Sequence, residues 1–576
     1  MYRYYFNLYD LYVSKKKQSF NAKKMKKYSI PLLLLTMTIL SSCSSTQTVA
    51  ESNETPFVWE GANVYFLMTD RFNNGDTSND INFNRNKTTG KLRGFEGGDI
   101  KGISQKIDEG YFDKLGINAI WFTPVVEQIH DGVDEGTGLS YGFHGYWAKD
   151  WTNLDPNFGT KEDLATLVQK AHAHGIRIIL DGVINHTGPV TPEDTVWPND
   201  WVRTGPNCEY KSFETTTACT LVSNLPDVKT ESNQAVALPP FLIEKWKKEG
   251  RYEQEMKELD AFFARTGYPR APKYYIIKWL TDYIADYGID GYRGDTVKHT
   301  DETVWADFKT QCDYAFTTWK KNNPTKVLDN NPFYTIAEVY NYGISGGQDF
   351  DFGDKKINYF KNGFNNMINF EFKWDAQKDY EFIFSKYSNK LNNELKGYSV
   401  LNYLSSHDDG GPFDGNRTKT IESGTKLLLS PGLSQVYYGD ESARSLVIEG
   451  TKGDATLRSF MDWEAIKSNP ETQKTLLHWQ KLGQFRKNHP SVGAGIHKQI
   501  SAQPYTFSRT FSKGDYSDAV VVGLDLAIGT KELSVGSIFA NGTLLKDAYS
   551  GKEARVENGK VTMNSEFDIV LLESKK

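Results

Sequence analysis

Eight short runs rich in Val, Ile, Leu and aromatic residues punctuate the chain, at 64–68, 118–122, 176–181, 289–293, 334–338, 367–372, 399–404 and 433–437. Each has the length of a strand buried on both faces, and most are separated by stretches of helical spacing such as 161–174. Strands that alternate with helices pair in parallel, because the crossover helix returns the chain to the same end of the sheet. Eight of them predict an α/β fold, a (β/α)8 TIM barrel over 61–488. A doubly wound sheet gives a similar alternation, so the count alone leaves that architecture open.

Two stretches break the rhythm. Between Asn185 and Pro272 the chain is long, polar and punctuated by Pro and Gly, which predicts a loop-rich domain inserted after the third strand, about 187–271. It holds Cys208 and Cys219, eleven apart in a loop-like setting, and a charged segment with the pattern of one helix at 241–265. After His489 the helical periods stop. Short alternating runs such as AVVV (519–522) and FDIVL (567–571) trade places with the turn pairs Asn541-Gly542 and Asn558-Gly559. This predicts a C-terminal antiparallel β-sandwich domain, 489–576.

The first 43 residues have the pattern of a targeting segment. Lys23, Lys24, Lys26 and Lys27 precede an apolar run at 30–40, too short to cross a bilayer as a helix but suited to the core of a signal peptide. The run ends in LSSC (40–43), similar to a bacterial lipobox, so Cys43 is the expected lipidated residue and 44–60 a tether. Met25 is an alternative start. Ser44 after the cysteine points to an outer-membrane lipoprotein facing the periplasm or the cell surface. An exported chain meets oxidising conditions, so Cys208 and Cys219 are expected to pair and Cys312, in a helical pattern, to be a buried thiol.

Composition narrows the partners. Residues 1–42 carry eight of the basic residues and one acid, which leaves 59 basic against 72 acidic residues and a formal charge of −13 beyond them. Such a chain, without basic patches, is not expected to bind nucleic acid. Aromatic residues make up 14% at a mean hydropathy of −0.55, a combination suited to stacking flat rings on sugars and opposed to disorder. A monomer is expected.

The acids carry the chemistry. Asp181, Asp295, Glu338 and Asp408 fall at or just past the C-terminal ends of the third, fourth, fifth and seventh strands, the end of a barrel where active sites form. Arg293 lies two residues before Asp295, so both side chains can face one site, and a neighbouring arginine keeps a carboxylate nucleophile ionised. His144, His186, His299 and His407 follow the second, third, fourth and seventh strands. Separately, NNGDTSND (73–80) and Gly97-Gly98-Asp99 supply closely spaced oxygen ligands among glycines, the donors that a hard cation such as Ca²⁺ takes; a surface turn would use the same residues.

These segments amount to a resemblance. DGVINH (181–186), GYRGDTVKH (291–299), IAEVY (336–340) and YLSSHDD (403–409) resemble the four conserved regions of the α-amylase family, glycoside hydrolase family 13. FHGYW (143–147) and LPDV (225–228) add two further matches in the right order, and DWTNLDPNFG (150–159) and YGDESAR (438–444) are similar to the periplasmic-type bacterial α-amylases. The resemblance implies Asp295 as nucleophile, Glu338 as general acid and base, and Asp408 as the carboxylate that binds and distorts the sugar. It implies Tyr146 stacked on the sugar ring with His144 and Trp147 beside it, and His186 and His407 as hydrogen-bond donors to it. Lys298 reaches the sugar on the leaving side, His299 is a further substrate-binding residue, and Asp181 organises the site through Arg293. Asn185, Asp227 and the carbonyl of His299 would hold a structural calcium that pins the insertion to the barrel. Asn74, Asp76, Asn79, Asp80, Gly97 and Asp99 match a second calcium site of the cyclodextrin glucanotransferases, with Asn74 replacing an acid. Gly294 stands where the family usually has an apolar residue, which is expected to loosen the packing behind the nucleophile; Phe143 replaces a frequent tyrosine.

The resemblance implies a retaining α-glucan hydrolase that cleaves α-1,4 bonds in starch, glycogen or maltodextrins through a covalent glycosyl-Asp intermediate. Cyclomaltodextrinase and α-glucan transglycosylase share the scaffold. A non-catalytic starch-binding lipoprotein would be expected to have lost one of Asp295, Glu338 or Asp408, and all three are present.

Overall fold

A computed structural model describes residues 55–575. The targeting segment with Cys43 and the first part of the tether lie outside the described residues. Eight parallel strands close into a barrel: β1 (Asn63–Leu67), β2 (Ala119–Phe122), β3 (Arg177–Gly182), β4 (Gly291–Gly294), β5 (Tyr334–Ala337), β6 (Asn366–Asn369), β7 (Ser399–Asn402) and β8 (Leu433–Tyr437). All eight are buried along their whole length, which is why they read as continuous apolar runs rather than as alternating ones. Closure decides between the two architectures that the alternation left open.

The approach to β4 shows how local sequence sets the strand. The helix Pro272–Tyr287 begins on a proline, whose missing N–H costs nothing in the first turn. It ends at Gly288 in the left-handed conformation, φ 73°, where a Cβ would fall 2.1 Å from the Trp319 ring. Only glycine fits there, and it turns the chain into β4 in a fixed register, with Arg293 beside Asp181 of β3.

The insertion after β3 carries the disulfide Cys208–Cys219, and Cys312 is a buried free thiol. Its charged segment forms two helices rather than one, Pro240–Lys248 and Tyr252–Thr266, broken at Gly250 with φ 73°. Lys245 of the first helix bridges buried Glu127 and Asp150 of the barrel loops at 2.6 Å each, tying the insertion down by charge.

Beyond the last barrel helix, six antiparallel strands form one sheet and two more form a second (Gly529–Ser534 with Lys560–Ser565). Alternation explains the run AVVV. Val520 and Val522 face the barrel core, whereas Val521 points into a small core with Leu533, Val561 and Leu572 between the two sheets. His489 sits at the junction, with Nδ1 2.8 Å from Asp518 and Nε2 2.8 Å from Glu573. Burial disfavours the imidazolium, but the two carboxylates outweigh it and push the pKa up to about 9. The contribution to stability is therefore complete below the unfolded value near pH 6.5 and fades as pH rises through about 9. His489→Ala is expected to lower unfolding free energy by about 3 kcal/mol at pH 6, and the gap to narrow at pH 10. Urea melts at the two pH values check this; an equal gap at both would refute the clamp.

Candidate active site

The four acids converge at the C-terminal end of the barrel around one guanidinium. Arg293 Nη1 donates to both Asp181 oxygens, at 2.9 and 3.1 Å, and to Asp295 Oδ1 at 2.6 Å, while Nη2 lies 3.6 Å from Glu338 Oε2. Arg293 is 1% exposed, so these contacts are made with little water to screen them. Trp121 Nε1–H (3.1 Å) and the Tyr146 hydroxyl (2.9 Å) both donate to Asp181 Oδ2, and the side chain is fully buried, which leaves it closed to a reacting atom. It acts as the buttress of Arg293.

Glu338 accepts the backbone N–H of Thr296 at 2.7 Å. Thr296 follows Asp295 directly and holds φ 46°, the left-handed region that a β-branched residue seldom adopts. The segment after Asp295 and Glu338 are thereby joined through a strained peptide. Burial pushes the Glu338 carboxyl up to about 8, Asp295 and Asp408 push in the same direction, and Arg293 and the Thr296 N–H pull it back. At neutral pH Glu338 holds a proton to give, whereas Asp295 is ion-paired.

Asp408 presents the open face, with its side chain 39% exposed; Ser406 Oγ donates to it at 3.2 Å and His407 Nε2 lies 3.7 Å away. Burial raises its pKa but is outweighed by His407, Arg293, Arg458 and Ser406, which together hold it below the usual carboxylate value. His144, Tyr146 and His407 stand as three near-parallel rings, 5.8 and 5.4 Å between centroids. Burial lowers the pKa of His407 and of His299 to about 4, and lowers those of His144 and His186, so these imidazoles are neutral and donate without adding charge. His186 Nε2–H donates to the Tyr146 carbonyl at 3.1 Å, so its proton faces Tyr146. Trp147 stands edge-to-face against His144, 4.7 Å between centroids, and packs its other side on Ile129 and Leu225. Lys298 Nζ donates to the Tyr340 carbonyl at 3.2 Å, on the Glu338 side of the cleft, and His299 Nδ1–H donates to the Thr216 carbonyl at 3.0 Å.

The expected loosening behind Asp295 does not occur. A Cβ at Gly294 would meet Trp305, Val297 and Phe364 at 3.0 to 3.2 Å, so the glycine makes room for three large neighbours that fill the space. Phe143 lies under the Arg71 guanidinium, 4.0 Å from ring centroid to carbon. Sequence reasoning missed Trp121, the Thr296 N–H and Arg458, whose Nε donates to the His407 carbonyl at 2.9 Å. It also missed Lys373 and Tyr403, which together hold Asp409 next to Asp408. Backbone donors and buttresses carry no residue-type signal, and Arg458 and Lys373 stand among other charged and polar residues, where a charge marks nothing.

The residues expected to hold metals divide. Asp227 is 1% exposed, and neither of its carboxylate oxygens has a hydrogen-bond partner; nor has the Asn185 amide nitrogen beside it. Arg203 Nε makes only a charge contact with Asp227, at 2.9 Å. Val228 N–H to the Asn185 carbonyl (2.7 Å) and a backbone bridge between His186 and Asp227 hold the two segments together. Orphaned buried oxygens of this kind fit a cation. In the other cluster Asn74, Asp80 and Gly97 are in contact, and Asn74 Oδ1 and Asn79 Oδ1 lack partners. Asp99, however, spends its carboxylate on the N–H groups of Gly75, Asp76 and Gly102, and Asp76 pairs with Lys101 at 2.5 Å. Among the described residues no group of three or more His, Cys, Asp or Glu is arranged to hold a metal.

A buried arginine shared by three carboxyls, one of them proton-bearing, at the mouth of a (β/α)8 barrel is a glycosidase arrangement. The family model of the alpha amylase catalytic domain matches residues 66–490. The chain belongs to the α-amylase family. It is 34% identical over 503 residues to the periplasmic alpha-amylase of Escherichia coli K12, with 76% of this chain and 69% of that protein covered. It is 27% identical to a cyclomaltodextrin glucanotransferase of Geobacillus stearothermophilus over 80% of this chain, and spans 59% of that protein's length. The solved structure of an Anoxybacillus alpha-amylase superposes with a TM-score of 0.61 at 23% identity, covering 90% of this chain and all of that one, a likeness of fold. Within the α-amylase family, then, the structure brings Asp295, Glu338, Asp408, Asp181, Arg293, Tyr146, His144, His186 and His407 of this chain together, with Trp147 against His144.

Proposed function

We propose that this chain hydrolyses α-1,4-glucosidic bonds in starch, glycogen or maltodextrins with retention of configuration. The observation that carries the reading is the single guanidinium that touches both Asp295 and Glu338, with Glu338 held protonated by burial. Asp295 attacks the anomeric carbon while Glu338 gives its proton to the departing glycosidic oxygen. Glu338, now a base, takes a proton from water, which attacks the glycosyl-Asp295 bond and releases an α-anomer. This double displacement works with carboxyls about 5–5.5 Å apart. Asp408 and His407 hold the ring hydroxyls, and the neutral imidazole places a donor where charge develops.

A product time course from maltoheptaose and soluble starch tests this. Short maltodextrins that first appear as α-anomers support the hydrolase; cyclic products, or products longer than maltoheptaose, would move the chain to the transferases of the same family. Starch binding without turnover would leave a binding protein.

Asn185, Asp227 and the His299 carbonyl would hold calcium, whose charge would offset the buried carboxylate and pin the insertion to the barrel. Chelation with EDTA is expected to lower the melting temperature by about 5 °C, and Asp227→Ala to remove that sensitivity. A melting curve indifferent to EDTA would refute the site. The loop 73–99 is the weaker of the two, since Asp76 and Asp99 are already engaged. The chain would be exported and anchored by a lipid on Cys43, in keeping with the targeting pattern of 1–43 and the periplasmic relative. Mass spectrometry of the membrane-extracted protein would show an acylated Cys43; an unmodified cysteine there would sink the anchor.

A further inference from the structure

The two sides of the cleft are chemically distinct. Asp408, His407 and Tyr146 bound the ring that is attacked. Glu338 must reach the departing oxygen, so the space beyond it faces the leaving part of the glucan. Lys298 marks that space: its Nζ lies over the rings of Tyr340 (5.4 Å), Phe350 (5.6 Å) and Tyr210 (5.9 Å). Tyr210 comes from far away in the fold, from the loop closed by Cys208–Cys219, and is 54% exposed with its ring edge against His299 at 5.8 Å.

That loop is attached at two points. On the site side, the Thr216 carbonyl takes the His299 ring proton at 3.0 Å. On the outer side, the loop clasps the hairpin Phe350–Asp351/Lys356–Ile357, which follows β5. Phe213 makes the clasp: its N–H donates to Asp354 at 2.8 Å, its ring meets Phe352 edge-on at 5.2 Å, and Lys355 Nζ lies 3.9 Å from its centroid. The catalytic carboxylates contact neither Phe213 nor the disulfide. A loop of this length without such ties would lose much conformational freedom on meeting a ligand, and the ties remove that cost beforehand.

We infer that the disulfide-closed loop 208–219, clasped to the hairpin 350–357 through Phe213, is a wall of the leaving-side cleft that sets how firmly the departing glucan chain is held. Tyr210 is its sugar-facing ring, while Phe213 and the disulfide are positioning elements. The inference rests on the glucan-hydrolase reading above. Because an incoming sugar acceptor uses the same space as the departing one, the wall also sets the share of transfer against hydrolysis.

Two substrates separate this role from general damage: maltoheptaose, which fills the leaving side, and α-maltotriosyl fluoride, whose leaving group is one atom. Phe213→Ala and the double variant Cys208→Ala/Cys219→Ala are expected to lower kcat/KM on maltoheptaose about tenfold, mainly through KM. On the fluoride they are expected to stay within about twofold of the parent chain. Products longer than maltoheptaose should become scarcer, and Phe213→Tyr should restore the parent behaviour. Equal losses on both substrates, or no change on either, would overturn the wall. A parent chain that turns over neither substrate overturns the glucan-hydrolase reading itself, and the wall with it.

Discussion

Asp295→Asn is expected to lower kcat on maltoheptaose by about 10⁴-fold or more, because the nucleophile acts as one unit with its acid and its buttress. Asparagine keeps the volume and leaves the Arg293–Asp181 pair in place, so the fold and starch binding should survive. The amide cannot form the ester with the anomeric carbon. Initial rates and the melting temperature, measured on the same preparation, distinguish a lost nucleophile from a lost fold. A variant that retains a tenth of the parent rate would show that Asp295 is not the attacking group.

Glu338→Gln is expected to lower kcat on starch by about 10²–10⁴-fold, the range for loss of a positioned general acid. Its distinguishing signature is in the pH profile. With the carboxyl pushed up to about 8 in the free protein, the proton-bearing form predominates below that value and is lost above it. The parent kcat/KM should therefore hold toward pH 8 and then fall by tenfold per pH unit, and the variant should lack that limb. Glycosyl fluorides, whose leaving group needs little protonation, should react with the variant far better than starch does, and glycosyl-Asp295 should accumulate. A variant with an unchanged alkaline limb would assign the proton to another group.

Much of this site was legible in the residues. That Asp295, Glu338 and Asp408 gather at one end of the barrel was legible because they are acids at the C-terminal ends of strands, and strand position follows from apolar periodicity. Arg293 followed from a spacing of two. Gly294 misled because a missing side chain is read as a gap, although Trp305 and Phe364 arrive from other elements to fill it. The charged segment of the insertion had helical spacing throughout, and only the left-handed turn at Gly250 divided it.

By itself the sequence determined the order of the strands, the placement of the acids at their C-terminal ends, and the membership of those acids in one family pattern. These depend on side-chain identity and local period, which survive without a fold. Only the tertiary structure decided that the sheet closes, that β3 and β4 pair Asp181 with Arg293, and that Thr296 turns its N–H to Glu338. It alone set the proton on Glu338 and buried the carboxylate of Asp227 with Arg203 as its charge partner. Those properties belong to burial and to contacts between residues distant in the chain, and neither exists until the chain has closed around them.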